Sequence, residues 1–232
     1  MGIEFSQKES VETYSEGTTS EQLTLRPVML ALVGDVSGKT VLDMGCGDGR
    51  YSLIFAQNGA RVIATDASEH QIEIAQQRHA HPNIAYNMSD VSAAPEPASV
   101  DVAFANLVVP SLSGTDKLDA LVSTAKRTLK PGGKFIFSVL HPLYIAAEQD
   151  TYDKSIDFKP ENYFMEGSPY KSEALTNAGN KMRFNESHFS LTRISESLRS
   201  NVFLIRSVVE SRQIPEKRMF LPKYLAFECV VA

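Results

Sequence analysis

Several features are scarce in this 232-residue chain, and each scarcity argues against a class of protein. Only two cysteines occur, Cys46 and Cys229, so we expect no disulfide framework and a reducing compartment. The formal net charge is −5, without the basic surplus that sequence-independent nucleic-acid binders carry. No apolar run approaches the roughly 18 residues of a membrane span, and the polar N-terminus lacks a secretory signal. We therefore predict a cytoplasmic protein that binds neither nucleic acid nor membrane.

The remaining composition is that of an ordinary globular domain, with 43% hydrophobic and 22% charged residues. The length fits a single domain over residues 1–232. Short apolar strands alternate with helical segments through a core at 36–140. This alternation predicts an α/β fold with a doubly wound, mostly parallel sheet covered on both faces. We expect the core strands at 40–44, 61–65, 84–88, 100–105 and 134–140.

Two flanking segments do not follow this alternation. Residues 1–35 are expected to form an N-terminal helical cap, with a short helix from Pro27 to about Val33. Residues 141–189 contain several prolines, glycines and tyrosines without a clear periodicity. We interpret them as a lid or substrate-binding insertion after the fifth strand, without regular structure of its own.

The C-terminal segment, 190–232, shows the last regular elements. Thr192 is expected to cap a helix that ends at a left-handed Asn201. Two apolar runs, 202–210 and 224–231, are joined by a polar loop. They are predicted to be an antiparallel pair of strands.

A glycine-rich loop, Gly45-Cys46-Gly47-Asp48-Gly49, follows the first strand and opens a helix. Glycines at this point allow a tight turn and close approach of a ligand to the backbone, which suits a dinucleotide equally well. Asp43 ends the strand just before the loop, where it would repel a pyrophosphate and favour an ammonium or sulfonium cation. Arg50 stands at the third glycine of the dinucleotide fingerprint, which also argues against that ligand. We interpret Cys46 as a small space-filling residue without a redox role.

Two further acids follow the next two strands. Asp66 ends the second strand, 21 residues after Gly45, where a carboxylate can accept both hydroxyls of a ribose. Asp90 follows the third strand and could accept a hydrogen bond from an adenine amine. Because ligands of open α/β sheets bind at the carboxyl edge, three acids at three consecutive strand ends predict a nucleoside site there.

The segment from Val41 to Arg50 resembles the first motif of class I (Rossmann-like) methyltransferases. The likeness continues through Asp66-Ala67-Ser68, Asp90-Val91, a strand ending at Asn106, and the run from Leu129 to Lys134. The resemblance implies a seven-stranded sheet whose last strand is antiparallel. It also implies S-adenosylmethionine as cofactor and S-adenosylhomocysteine as product. No Cys/His cluster has the spacing of a zinc site, so no metal is expected.

The same resemblance assigns residues to the cofactor. The glycine loop would surround the methionine part, Asp66 would hold the ribose, and Ala67 would pack on the adenine. A tyrosine near the N-terminus would close over the carboxylate. The cofactor-binding residues expected on this basis are Tyr14, Asp43, Gly45, Cys46, Gly47, Gly49, Asp66, Ala67, Asp90, Val91, Asn106 and Leu107.

Histidines and aromatic residues are the candidates for binding and activating the methyl acceptor. His188 is the first candidate for a general base and His141 the second, because imidazole titrates near neutral pH; a structural role is the alternative for each. Tyr144, Tyr163 and Phe164 are candidates for the substrate-binding wall, with packing as the alternative.

These features predict methyl transfer from S-adenosylmethionine to an O, N or C nucleophile of a small organic molecule, for example in secondary metabolism. The protein would be a monomer or a homodimer. Three alternatives stay open at this point. They are a methyltransferase acting on RNA or protein, a nicotinamide-dependent oxidoreductase, and a protein that binds the cofactor without catalysis.

Overall fold

The computed structural model describes residues 16–18, 20–93, 95–147, 154–212 and 221–231. Within these ranges the chain forms ten strands and six α-helices. The strands are β1 (Thr40–Met44), β2 (Arg61–Asp66), β3 (Ile84–Met88), β4 (Val100–Ala105), β5 (Leu129–Leu140), β6 (Lys154–Ile156), β7 (Ser168–Leu175), β8 (Lys181–His188), β9 (Phe203–Glu210) and β10 (Tyr224–Val231). The helices are α1 (Arg26–Val33), α2 (Arg50–Gln57), α3 (Glu69–Arg78), α4 (Thr115–Thr128), α5 (Pro142–Ala146) and α6 (Leu191–Ser200).

Seven of the strands form one sheet in the order β3-β2-β1-β4-β5-β10-β9. The strands from β1 to β5 pair in parallel, whereas β10 is antiparallel to both β5 and β9. The predicted seven-stranded sheet with an antiparallel last strand is therefore confirmed. Because the chain order reverses between β1 and β4, the carboxyl ends of these two strands border the crevice in which such folds bind ligands.

The sheet is buried on both faces, as a doubly wound fold requires. Alternate residues of β1 point to opposite sides, so that Val41 joins one hydrophobic cluster and Leu42 the other. Helices α1 and α2 cover the first cluster, where Tyr51 and Phe55 pack their rings against Phe104. Helices α4 and α6 cover the second cluster. The two layers hold the strand ends, and hence the loops that follow them, in fixed positions.

The N-terminal helical region starts earlier than predicted. A π-helical turn at Glu21–Leu25 leads directly into α1, so that Pro27 lies in the first turn of the α-helix. Residues 1–15 of the predicted helical cap lie outside the described residues.

The ends of α6 also differ from the prediction. Ser190, rather than Thr192, caps the helix, and its Oγ accepts a hydrogen bond of 3.1 Å from the N–H of Arg193. Asn201 has φ −96°, and the left-handed residue is Val202 with φ 60°. The chain therefore leaves the helix with the β-branched Val202 in a strained left-handed conformation, and not with Asn201 as predicted.

The insertion at 141–189 is not structureless, which corrects the prediction. It forms the short helix α5 and a three-stranded antiparallel sheet in the order β6-β7-β8. Strand β7 buries alternate positions, but two of these are Ser168 and Ser172, so the apolar alternation that marks a strand is concealed.

The hairpin between β7 and β8 is tied to the N-terminal segment. The N–H of Asn177 donates to the carbonyl of Gly17 at 3.0 Å, and the amide of Asn180 donates to the Glu16 carboxylate at 2.8 Å. These contacts place the turn between β7 and β8 beside Glu16 and Gly17, which precede the π-helical turn. Among the described residues, no helix combines the length and apolar character required to cross a bilayer.

Candidate functional site

The glycine loop has a backbone that requires glycine. Gly45, Gly47 and Gly49 have φ values of 67°, 55° and 83°. A Cβ added at Gly45 would lie 2.5 Å from a methyl of Val108, and one at Gly49 would lie 2.4 Å from the hydroxyl of Tyr86. These glycines therefore allow both the turn and the close packing of the loop against its neighbours.

Asp66 fixes the same loop from the end of β2. Its Oδ2 accepts a hydrogen bond of 2.9 Å from the N–H of Gly47, and its Oδ1 accepts one of 2.9 Å from the N–H of Ser68. Burial raises the pKa of this carboxyl, although the backbone hydrogen bonds oppose the shift. Each carboxylate oxygen has further lone pairs, so Asp66 can accept from a ligand while it holds the loop.

Asp43 is buried beneath the loop, with 2% of its surface exposed. Ser52 Oγ donates to its Oδ2 at 2.6 Å. Burial raises the pKa of Asp43 to about 7; the Ser52 hydrogen bond lowers it, and the nearby charges of Asp66 and Asp48 raise it further. A cation bound at this point would favour the ionised carboxylate.

The structure contains a shallow cleft along the ends of β2 and β3, which we call the edge cleft. It brings together Asp66, Ala67, Asp90 and Val91, as the sequence predicted. Asp90 is exposed and accepts from the Ser92 N–H at 3.0 Å and from Lys117 Nζ at 3.0 Å. The edge cleft is lined by Gly45, Gly47, Asp66, Ala67, Ser68, Gln71, Ser89, Asp90, Val91, Asn106, Leu107, Val108, Ser111, Leu112, Ser113 and Lys117.

Gln71, which the sequence analysis did not single out, also lines the edge cleft. Its side chain is 1% exposed, and neither amide atom has a hydrogen-bond partner among the described residues. A buried amide without a partner is unfavourable by roughly 1–3 kcal/mol. The polar wall therefore fits a ligand that itself carries hydrogen-bonding groups.

A second cavity, which we call the inner pocket, lies between the glycine loop, the N-terminal segment and the insertion. It shares four lining residues with the edge cleft: Gly45, Asn106, Leu107 and Ser111. The inner pocket is lined by Gly17, Thr18, Glu21, Asp43, Gly45, Cys46, Asp48, Arg50, Tyr51, Asn106, Leu107, Ser111, Leu140, Ala174, Met182, Phe184, Glu186, Lys223 and Tyr224.

Asn106 and Leu107 stand where the two cavities meet. Ser138 Oγ donates to Asn106 Oδ1 at 2.9 Å and accepts from the Leu107 N–H at 3.0 Å. Leu107 has φ 55°, a conformation that a branched residue rarely adopts. Strain of this kind is characteristic of ligand sites, and here the surrounding hydrogen bonds maintain it.

Buried charges in the inner pocket were missed by the sequence analysis. Glu21 accepts from the Tyr51 hydroxyl at 2.6 Å and from Arg26 Nη2 at 2.7 Å. Arg50 forms two hydrogen bonds of 2.8 and 3.0 Å with Asp48. The Glu21–Tyr51 contact joins segments 30 positions apart, and the Glu21–Arg26 and Asp48–Arg50 pairs do not have the i,i+4 spacing of a helical ion pair, so the sequence did not predict them.

The two predicted histidines lie outside both cavities. His188 is fully buried between the rings of Phe158 and Tyr163, and its Nε2 lies 2.9 Å from the Tyr163 carbonyl. Burial lowers its pKa. His141 caps α5, accepting from the Leu143 N–H at 3.1 Å. Both histidines therefore have structural partners, and the geometry does not place either beside a reacting group.

The predicted aromatic wall is also placed elsewhere. Tyr144 is buried in α5, Tyr163 packs on His188, and Phe164 is 77% exposed. The inner pocket instead takes its aromatic lining from Tyr51, Phe184 and Tyr224. Tyr14 lies outside the described residues.

The two cysteines lie in different places: Cys46 is in the lining of the inner pocket, and Cys229 is in β10. Cys46 and Cys229 are buried thiols, and burial raises the pKa of both. In the part of the chain that the structure describes, no three His, Cys, Asp or Glu side chains are grouped to hold a metal ion.

Comparison with known proteins points to one family. Residues 42–137 match the family model described as a methyltransferase domain. A malonyl-[acyl-carrier protein] O-methyltransferase of Yersinia pestis is 33% identical over 64% of this chain and 56% of its own length. An N-demethylindolmycin N-methyltransferase of Streptomyces griseus is 25% identical over 77% of this chain and 78% of its own length. The chain spans about half the length of the malonyl-[acyl-carrier protein] O-methyltransferases that it matches.

Solved structures agree with this assignment. A putative S-adenosylmethionine-dependent methyltransferase from Listeria monocytogenes superposes with a TM-score of 0.69 and 26% identity, covering 89% of this chain and 97% of that one. A methyltransferase from Streptomyces caelestis, at 17% identity and a TM-score of 0.73 over 99% of this chain and 100% of that one, shares the fold. The matched segment, residues 42–137, contains the glycine loop and the strand-end acids, and there the chain is similar to the class I, Rossmann-like S-adenosylmethionine-dependent methyltransferases.

Proposed function

We propose that this protein transfers a methyl group from S-adenosylmethionine to an O, N or C nucleophile of a small organic molecule bound in the inner pocket. One observation carries the proposal: the edge cleft and the inner pocket share Gly45, Asn106, Leu107 and Ser111. A cofactor that extends from one cavity into the other would present its reactive group at this junction.

The cofactor residues fit such a ligand. Asp66 would accept the ribose hydroxyls, Ala67 would pack on the adenine, and Asp90 with Val91 would border the adenine edge. Asp43, whose pKa of about 7 allows ionisation when a cation approaches, would balance the positive charge. The unpartnered Gln71 amide in the same wall supports a polar ligand there.

For methyl transfer, the main task of the protein is to position the acceptor next to the methyl group. The sulfonium of the cofactor supplies an electrophilic methyl group. The chain's own residues would align the acceptor with the methyl–sulfur bond and exclude water, which together account for much of the rate in such transfers. Leu140, Met182 and Phe184 provide apolar walls for this purpose. Neither His188 nor His141 has a role as base in this proposal.

A small acceptor is favoured by the position of the insertion. Strands β7 and β8 contribute Ala174, Met182, Phe184 and Glu186 to the wall of the inner pocket, so the insertion covers the site. By their names, two of the relatives methylate malonyl-[acyl-carrier protein] and N-demethylindolmycin. Methylation of RNA or protein is the alternative.

The test has two stages. Calorimetry with S-adenosylhomocysteine and with NAD should give binding of the first only. Radiolabelled S-adenosylmethionine should then transfer its methyl group to members of a small-molecule amine, phenol and carboxylic-acid panel, and not to total RNA or protein.

Each alternative has its own outcome. Binding of NAD would support an oxidoreductase, and labelling of RNA or protein would identify a macromolecular acceptor. Cofactor binding without transfer to any of these acceptors would support a non-catalytic protein. Any of these three results would overturn the proposal.

A further inference from the structure

Lys223 is a buried cation in the wall of the inner pocket. It immediately precedes β10, and only 2% of its surface is exposed. Moving an ammonium group out of water is costly, so a lysine held in a pocket wall is a functional candidate. Nothing in the glycine-loop motif involves this residue, which lies 174 positions after Gly49.

The protein holds this ammonium group in a defined place. Lys223 Nζ donates to Ser20 Oγ at 2.8 Å, and Ser20 Oγ lies 3.0 Å from the hydroxyl of Tyr224. The ammonium also lies 5.8 Å and 5.5 Å from the ring centroids of Tyr144 and Tyr224. The result is a cation with hydroxyl groups beside it.

The backbone around Lys223 is fixed as well. Its carbonyl accepts from the His141 N–H at 2.8 Å, and the N–H of Tyr224 donates to Ser211 Oγ at 3.1 Å. The lysine therefore does not need to be ordered when a ligand binds, which favours binding.

The other cation in the lining has a different task. Arg50 forms hydrogen bonds to Asp48 through two of its nitrogens, at the glycine-loop side of the inner pocket. The pocket's carboxylates are likewise held by neighbours: Glu21 by Arg26 and Tyr51, Asp43 by Ser52, and Glu186 by Ser172 at 2.5 Å. The positive charge of the cofactor would also offset the negative charge of the carboxylates near the glycine loop.

From this geometry we infer that Lys223, positioned by Ser20 and with the hydroxyl of Tyr224 beside it, binds a carboxylate group of the methyl acceptor. The inference rests on the proposed function, because it assigns the acceptor to the inner pocket. The apolar wall of Leu140, Ala174, Met182 and Phe184 would take the body of the same molecule. The acceptor class is thus a small carboxylic acid with an apolar body, and Lys223 is its specificity determinant.

Three probes of similar shape test this inference: 3-phenylpropanoate, 3-phenylpropanamide and 3-phenylpropylamine. Each is titrated calorimetrically into the protein saturated with S-adenosylhomocysteine. We expect the acid to bind the wild type about tenfold more tightly than the amide, on the scale of a charge-assisted hydrogen bond. Equal binding of acid and amide, or tightest binding of the amine, would overturn the inference.

Matched variants locate the effect. Lys223→Met should reduce the acid-to-amide preference to about one, whereas Lys223→Arg should keep part of it. Lys171→Met, on the exposed side of β7, controls for the loss of a lysine elsewhere and should keep the wild-type preference. A Lys223→Met variant that retains the preference would overturn the inference.

A second variant covers the case in which Lys223→Met does not fold. Tyr224→Phe removes only a hydroxyl and should reduce the preference about threefold, the scale of a modest hydrogen bond; an unchanged preference would contradict the assignment. The titration with S-adenosylhomocysteine separates the proposed function from the proposed carboxylate site. If the wild type does not bind S-adenosylhomocysteine, the proposed function fails, whereas binding without acid preference refutes only the carboxylate site.

Discussion

The edge cleft and the inner pocket meet at four residues but are built in different ways. The edge cleft is made largely by strand ends and the loops that directly follow them, with Asp66, Asp90 and Asn106 each just beyond or at the end of a strand. The inner pocket also joins Thr18, Glu186 and Lys223, which are distant in sequence. The first is a property of a local motif, and the second depends on how the whole chain packs.

The edge cleft is the kind of site that a protein family can share, whereas the lining of the inner pocket is specific to one chain. A glycine loop and strand-end acids can serve the same cofactor in many proteins, because the sheet positions them. In the proposed function, the side chains that would face the acceptor come in part from the insertion and the two ends of the described chain, where the fold imposes fewer constraints.

The largest expected effect comes from Gly49→Ala. The added Cβ would meet the Tyr86 hydroxyl at 2.4 Å in a residue with φ 83°, so the loop must move. We predict loss of S-adenosylhomocysteine binding by about a hundredfold or more, equivalent to roughly 2.7 kcal/mol. Gly132→Ala is the matched control, because it has φ 76° and open space around its Cβ. It should lower stability by about 1 kcal/mol without changing affinity. Equal affinities in calorimetry would show that the loop does not contact the cofactor.

Asp66→Ala should have the next largest effect. The change removes the acceptor for the Gly47 and Ser68 N–H groups together with the proposed ribose contact. Cofactor affinity should fall by roughly 1–3 kcal/mol. Asp101→Ala provides a control, since Asp101 accepts from the Thr40 N–H and Lys130 at the opposite end of β4. Wild-type affinity in Asp66→Ala would mean that the ribose binds elsewhere.

A pH dependence should distinguish Asp43 from the other acids. Because its pKa is raised to about 7, the carboxyl is neutral below that pH and ionised above it. Affinity for the cationic S-adenosylmethionine should therefore rise between pH 6 and pH 8, by up to about tenfold per pH unit below the pKa. S-adenosylhomocysteine, which lacks the sulfonium, should respond less. In Asp43→Asn, the ratio of the S-adenosylmethionine affinity to the S-adenosylhomocysteine affinity should no longer depend on pH. A ratio that is independent of pH in the wild type would contradict the proposed pairing of Asp43 with the sulfonium.

The same group makes a prediction about stability in the absence of cofactor. Its carboxyl ionises near 3.8 when unfolded and near 7 when folded, so folding takes up a proton between these values. Wild-type stability should therefore fall, relative to Asp43→Asn, as pH rises from about 4 to 7, and stay lower above 7. The stability lost relative to Asp43→Asn between pH 4 and pH 8 should be roughly 4 kcal/mol, measured by denaturant unfolding, because each pKa unit corresponds to about 1.4 kcal/mol. A difference that does not change with pH would mean that the Asp43 pKa is not raised.

The smallest expected effect concerns the histidines. His188→Gln should leave the turnover number within about threefold of the wild type, because the ring lies outside both cavities. Its loss should appear instead as lower stability, since the ring packs between Phe158 and Tyr163. A fall in turnover of a hundredfold or more, the scale of general base catalysis, would restore His188 as a base.

Much of the sheet could be predicted from the sequence, but the inner pocket could not. Strands β1, β3 and β4 have the predicted bounds because each is an apolar run between clear turn signals. The insertion escaped prediction because Ser168 and Ser172 occupy buried positions of β7 and hide its alternation. The partnership of Ser20 with Lys223 spans 203 positions, and such contacts leave no periodic signal.

The predicted aromatic wall does not coincide with the lining of the inner pocket, for a related reason. Tyr144, Tyr163 and Phe164 cluster in the sequence, but clustering says nothing about which side chain faces the cavity. Leu107 and Val202 show the same limit at the backbone, because neither residue type indicates the positive φ that it adopts. The strand predictions that are confirmed relied on local patterns, whereas the lining of the inner pocket depends on contacts between residues distant in sequence.

A crystal structure with S-adenosylhomocysteine bound would test the central claim most directly. We predict that the adenosine lies in the edge cleft with its ribose on Asp66, and that the sulfur lies at the junction of Gly45, Asn106 and Leu107, facing the inner pocket. A sulfur atom directed away from the inner pocket, or an adenosine outside the edge cleft, would contradict the account.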